Sequence, residues 1–122
     1  MIELNNIPIL NKQTIGTIIQ QANGNNTIIN EIFESFVYDV QEMIYNINIA
    51  VIKGDYKQFK ILIHTIKGLS ATIGASQLHI VAKEIDLLLK EEKNEDALKY
   101  ISCLAEVYDK CKIMVKEEFK IV

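Results

Sequence analysis

Apolar residues recur every three or four positions along most of this chain, which is the spacing of amphipathic α-helices. Five segments show this spacing, and short stretches that contain Gly, Asn or Ser separate them. The spacing predicts helices over about 12–21, 27–52, 55–73, 76–92 and 95–119. Isoleucine is frequent and favours strands, but a helical period that persists over long segments outweighs this weak residue preference.

The residues at the segment ends are typical of helix caps. We expect Thr27 or Asn26 to cap the second helix, Asp55 the third and Ser76 the fourth, while Gly74 ends the third. The connections are short, so consecutive helices should be antiparallel neighbours. We therefore predict an all-α fold, an antiparallel four-helix bundle with a short additional N-terminal helix laid across it. The whole chain, residues 1–122, is expected to form this one domain.

The composition limits the kinds of molecule that the protein is expected to bind. The chain contains 13 Lys and no Arg, and its formal net charge is −3. This balance argues against a nucleic-acid binder and excludes an arginine clamp on phosphate. No apolar run approaches the roughly 18 residues of a membrane span, and no secretion signal begins the chain. With Cys103 and Cys111 interpreted as reduced thiols, the sequence predicts a cytoplasmic protein with no membrane or nucleic-acid partner.

The third segment carries polar residues that the core does not need. Its apolar stripe defines one side of a helix, and the opposite side carries Lys57, Lys60, His64, Lys67, Gly68 and Ala71. A mid-helix Gly costs about 1 kcal/mol relative to Ala, and a surface without side chains permits close approach by another molecule. The segment therefore predicts an exposed imidazole, with one ammonium in reach, beside a flat surface.

From His64 to Gly74 the chain runs His-Thr-Ile-Lys-Gly-Leu-Ser-Ala-Thr-Ile-Gly. This motif resembles that of the histidine phosphotransfer (HPt) domain of multistep phosphorelays. It departs from the family at Leu69, where a small residue is common, but Leu69 falls on the core side of the helix. The plan of helices, with the histidine near mid-chain, extends the resemblance to essentially the whole chain.

The resemblance implies a phosphocarrier without autonomous kinase activity. A phosphoryl group would pass from an aspartate of one receiver domain to His64, and then to an aspartate of a second receiver. Lys67 would neutralise phosphate charge, and Gly68 would leave room for the phosphate. The implied partners are receiver domains of response regulators and of a hybrid histidine kinase, and the implied state is a monomer. We expect no cofactor or bound metal, because Mg²⁺ would come with the receiver.

The fourth helix is expected to form the other wall of the site. In the family a polar side chain from this helix, often Gln, approaches the histidine ring, and the register implies Asp86 here. An Asp would accept a ring N–H and orient His64, although it would repel phosphate more than Gln. His79 is expected to be solvated. The expected docking face for a receiver comprises Lys60, Gly68, Ala71, Lys83 and Asp86.

Two alternatives remain open. The chain could be a docking module that binds a receiver without chemistry, or the phosphotransfer segment excised from a larger hybrid histidine kinase. A Met at position 1, with no linker before the first helical segment, favours a free-standing protein. A metal pair of His64 and His79 lacks a third ligand.

Overall fold

The computed structural model describes residues 2–119, and the secondary structure within this range is helical. Its six helices are α1 (Lys12–Gln21), α2 (Asn26–Ile52), α3 (Tyr56–Ile73), α4 (Ser76–Lys90), α5 (Asn94–Leu98) and α6 (Ile101–Phe119). The predicted all-α fold is confirmed. No helix within residues 2–119 is long and apolar enough to cross a membrane.

The long helices form a closed ring of four. Helix α2 packs on α3, α3 on α4, α4 on α6, and α6 returns to α2. Phe33 near the start of α2 stacks on Phe119 at the end of α6, with ring centroids 4.0 Å apart, so these two helices are antiparallel. The fully buried side chains of this core include Phe33, Val40, Ile47, Phe59, Ile63, Ile66, Val81, Ile85, Leu104 and Val115.

Helix α1 is the short additional helix, and it docks where α3 turns into α4. The backbone N–H of Asn11 donates to the carbonyl of Gly74 at 2.7 Å. Gly74 adopts φ +86°, and a Cβ there would lie 2.9 Å from the Cβ of Thr14. The turn and the contact with α1 therefore both require glycine at this position.

The start of α3 follows the prediction, since the side chain of Asp55 accepts from the N–H of Gln58 at 3.1 Å. The cap predicted for α2 is wrong by one or two residues. Asn25 caps this helix by accepting from the N–H of Ile28 at 3.2 Å, because Asn26 already has helical geometry.

The cap predicted for α4 is also wrong. The turn between α3 and α4 uses only Gly74 and Ala75, so Ser76 already lies in the first turn of α4. Ala75 occupies the cap position without a side-chain hydrogen bond. The backbone N–H of Ala75 instead donates to the carbonyl of Ser70 at 2.9 Å, which closes the turn.

The fifth predicted segment, 95–119, is divided into α5 and α6. Between them the N–H of Tyr100 donates to the carbonyl of Ala97 at 3.1 Å, in a tight turn. Ala97 is fully buried, and α5 packs on α4. The apolar spacing continues through this turn because α5 and α6 both pack on α4.

The two cysteines lie on α6 as free thiols. Burial raises the pKa of Cys111 to about 12 and also raises the pKa of Cys103. Both side chains therefore behave as packing residues at neutral pH.

Candidate functional site

The core contacts of α3 decide which way His64 points. Ile63 and Ile66 are fully buried, so the ring of His64 projects outward with 65% of its side chain exposed. The prediction of an exposed imidazole agrees with this geometry. Lys67 departs from the expected pattern, because only 24% of its side chain is exposed. The exposed residues of the same face are Lys57, Lys60, Gly68 and Ala71.

Gly68 leaves open space above the helix. A Cβ at this position would meet nothing within 4 Å, so Gly68 does not serve helix packing. Ala71, one turn further along α3, is exposed as well. The surface beside His64 is therefore accessible to another molecule.

Asp86 on α4 is the centre of the polar contacts around His64. Its Oδ2 accepts from Nζ of Lys67 at 2.7 Å, lies 3.0 Å from Nζ of Lys90, and lies 3.7 Å from Nδ1 of His64. The distance from Nδ1 of His64 is too long for a hydrogen bond, but it shows that Nδ1 is the ring nitrogen that faces the carboxylate.

Burial corrects one sequence prediction for this residue. Asp86 is only 2% exposed, so its assignment to an exposed docking face is wrong. The side of α4 that carries Asp86 packs against α3, and the two helices enclose the carboxylate. The carboxylate is therefore available to groups within the site and not to a docking surface.

The carboxylate stays charged despite its burial. Desolvation acts to raise the pKa of Asp86, but hydrogen bonds and charge attraction from Lys67 and Lys90 outweigh it and lower the pKa. The second oxygen, Oδ1, is buried without a hydrogen-bond partner. One buried anion is thus held by two cations through a single oxygen.

Lys90 shares the polar stripe of α4 with Asp86 but is not among the residues predicted for the site. Its spacing of four residues from Asp86 on one helix is a common arrangement for an ion pair, and this pattern could have identified it. Lys90 lines a groove with His64, Asp86, Lys60, Ile61 and Thr65.

A second groove shares Asp86 and Lys90 with the first. The N-terminal residue Ile2 and Tyr100 form part of its wall. Its charged lining residues are Lys67, Lys83, Glu84, Asp86 and Lys90. Lys83 is exposed, and its place in a docking face stays a prediction.

His79 is not solvated as expected. Its ring is half-buried, and Nδ1 lies 2.9 Å from the backbone carbonyl of Lys67, to which it donates. The prediction is wrong because His79 lies on the side of α4 that faces α3. The contact supports the backbone of α3 at the residue that binds Asp86.

This arrangement suits reaction with an anion. A neutral imidazole nitrogen is a nucleophile near pH 7, and the neighbouring ammonium groups stabilise negative charge. Within residues 2–119, no three His, Cys, Asp or Glu side chains lie close enough together to hold a metal ion.

Comparisons with known proteins agree with one another. A family model described as Hpt domain matches residues 31–112. The fold is similar to that of histidine-containing phosphotransfer protein B (HptB) from Pseudomonas aeruginosa PAO1, with a TM-score of 0.85 and 20% sequence identity. The alignment covers 94% of this chain and 97% of that chain. Comparison with curated proteins gives no match.

Proposed function

The chain belongs to the Hpt domain family, the histidine phosphotransfer domains of phosphorelays, and from this premise we propose that it is a phosphocarrier whose acceptor is His64. It takes a phosphoryl group from an aspartyl phosphate of one receiver domain and gives it to an aspartate of another. The observation that carries the proposal is the exposed ring of His64 beside the lysine pair on Asp86.

The orientation of the ring favours Nε2 as the nucleophile. Nδ1 faces Asp86, so Nε2 is the nitrogen available to a molecule outside the bundle. When Nε2 attacks phosphorus, the bond from phosphorus to the aspartate oxygen breaks, and its electron pair leaves with the carboxylate. Nδ1 keeps its proton and points it toward Asp86. The reverse sequence, with a second receiver aspartate as nucleophile, regenerates neutral His64.

The other residues supply position and charge, which are the main requirements of phosphoryl transfer. Lys67 neutralises negative charge on the phosphoryl oxygens, and Gly68 leaves space for the receiver. Lys60, Ala71 and Lys83 form the docking face around them. The carrier has no autonomous kinase activity, and Mg²⁺ enters with the acidic pocket of the receiver.

The test uses a receiver domain that carries labelled aspartyl phosphate. Wild type should acquire a label that is labile in acid and stable in base, and His64→Gln should acquire none. His79→Gln is the matched control, since it removes the other histidine and should still be labelled. Binding to several receivers without any label on wild type would contradict the carrier function and favour a docking module.

A further inference from the structure

The charges around Asp86 do not balance within the site. Asp86 provides one negative charge, while Lys67 and Lys90 each bring one positive charge to the same oxygen. A single lysine is enough to compensate one carboxylate, so the second leaves an excess of positive charge next to His64. Lys60, which lines the same groove as His64, increases this excess.

The two lysines differ in their access to the ring of His64. Lys90 lines the groove that contains the ring of His64, and 51% of its side chain is exposed. Lys67 lines only the second groove, which Lys90 also lines, and the side chain of Lys67 is about half as exposed as that of Lys90. Both ammonium groups meet at Oδ2 of Asp86, but Lys90 is the one that shares open space with the ring of His64.

We propose that Lys90 is a second phosphate-binding lysine of this site, held in place by the buried carboxylate of Asp86. The inference rests on the proposed function, because the anion that it binds is the phosphoryl group on His64. An ammonium has three N–H donors. Lys90 can thus keep one donor on Oδ2 of Asp86 and direct another to a phosphoryl oxygen.

Phosphorylation brings a group with between one and two negative charges into this groove. Lys67 and Lys90 then both stabilise the charge of the phosphate, while the carboxylate of Asp86 holds their ammonium groups near His64. If Lys90 were only a counter-ion of Asp86, its removal would change stability and leave the properties of the phosphoryl group unchanged.

The first experiment measures the phosphoryl group directly. Wild type, Lys90→Gln, Lys90→Arg and Lys112→Gln are phosphorylated with phosphoramidate, a small donor that needs no receiver, and the ³¹P resonance is followed against pH. Nearby cations favour the dianion, so the midpoint for phosphoryl protonation should rise by roughly half a pH unit in Lys90→Gln. It should return toward the wild-type value in Lys90→Arg. Lys112, which contacts Gln41 on the other side of the bundle, is the control.

The second experiment measures transfer from a phosphorylated receiver. We expect the saturating rate to fall about tenfold in Lys90→Gln with little change in KM, since the lost contact is with the transferred group. Circular dichroism during thermal unfolding checks that each variant is folded.

An unchanged ³¹P midpoint and an unchanged rate in folded Lys90→Gln would overturn the inference and leave the carrier function intact. Conversely, a shifted midpoint in protein that accepts phosphate from phosphoramidate but from no receiver would support the phosphate site and contradict the carrier function. A protein that takes phosphate from neither donor would overturn both.

Discussion

At the scale of single residues, Asp86 contributes to the stability of the fold and also holds two lysines of the site in place. Replacing it by Asn removes the charge that holds two lysines, so we expect Asp86→Asn to lower the free energy of unfolding by about 1–3 kcal/mol at pH 7. Chemical denaturation measures this difference. The exposed Asp109 on α6 supplies the control, and Asp109→Asn should change stability by less than about 0.5 kcal/mol.

The pH dependence of this difference has a definite sign. The pKa of Asp86 lies below its ordinary value of 3.8, because the two lysines stabilise the carboxylate. The stabilisation is therefore fully present above pH 3.8 and is lost as the pH falls through the lower pKa of the folded state. A gap between wild type and Asp86→Asn that stays constant down to acid pH would argue against an ionised Asp86.

The sequence predicts the exposure of some site residues correctly but not the burial of others. The exposure of His64, Lys60 and Gly68 follows from their position around α3 alone. The burial of Asp86 and His79 depends on which side of α4 meets α3. The packing of α4 against α3 determines which side of α4 is buried, and the periodicity of α4 alone does not.

At the scale of the helix, Gly68 weakens α3 without any packing benefit. A Cβ there would meet nothing within 4 Å, so we expect Gly68→Ala to raise the free energy of unfolding by up to about 1 kcal/mol. The same methyl group lies on the proposed docking surface for a receiver, so docking should become weaker. Thermal unfolding and a binding titration measure the two effects, and a loss of stability would show that Gly68 has a packing role.

Gly74 ends the same helix and should respond in the opposite direction. Gly74→Ala places a Cβ at φ +86° and 2.9 Å from the Cβ of Thr14. The left-handed backbone alone costs about 1–2 kcal/mol, and the contact with α1 adds to this cost. Thermal unfolding should therefore show a lower midpoint than wild type. Thr14→Ser, which removes one methyl group from the contact, should recover part of the loss in the double variant.

The positions of most helices could be predicted from the sequence, but the division of the last segment could not. The apolar period located α1 through α4 within a few residues, and Asp55 and Gly74 marked the ends of α3 correctly. The division between α5 and α6 was not predictable from the same period. After the turn at Tyr100 the chain still packs on α4, so the apolar pattern is not interrupted there.

At the scale of the whole molecule, charge is distributed unevenly. The chain carries 16 acidic residues and 13 lysines, for a net charge of −3. Yet the lysines outnumber the carboxylates along the two grooves that Asp86 lines. The charged residues of these grooves are Lys60, Lys67, Lys83 and Lys90, with Glu84 and Asp86. An acidic partner is therefore attracted to this side of an acidic protein.

This uneven distribution predicts how docking depends on salt. Complementary charge mainly accelerates association, so the on-rate for a receiver with an acidic pocket should fall as ionic strength rises. Lys60→Glu should reduce the on-rate several-fold at low salt, whereas Lys112→Glu, on the α2–α6 side, should change it much less. Stopped-flow measurements at about 1 M salt, where the screening length is about 3 Å, should remove most of the difference. If Lys60→Glu instead altered the off-rate equally at all salt concentrations, a direct contact of Lys60 would replace long-range attraction as the explanation.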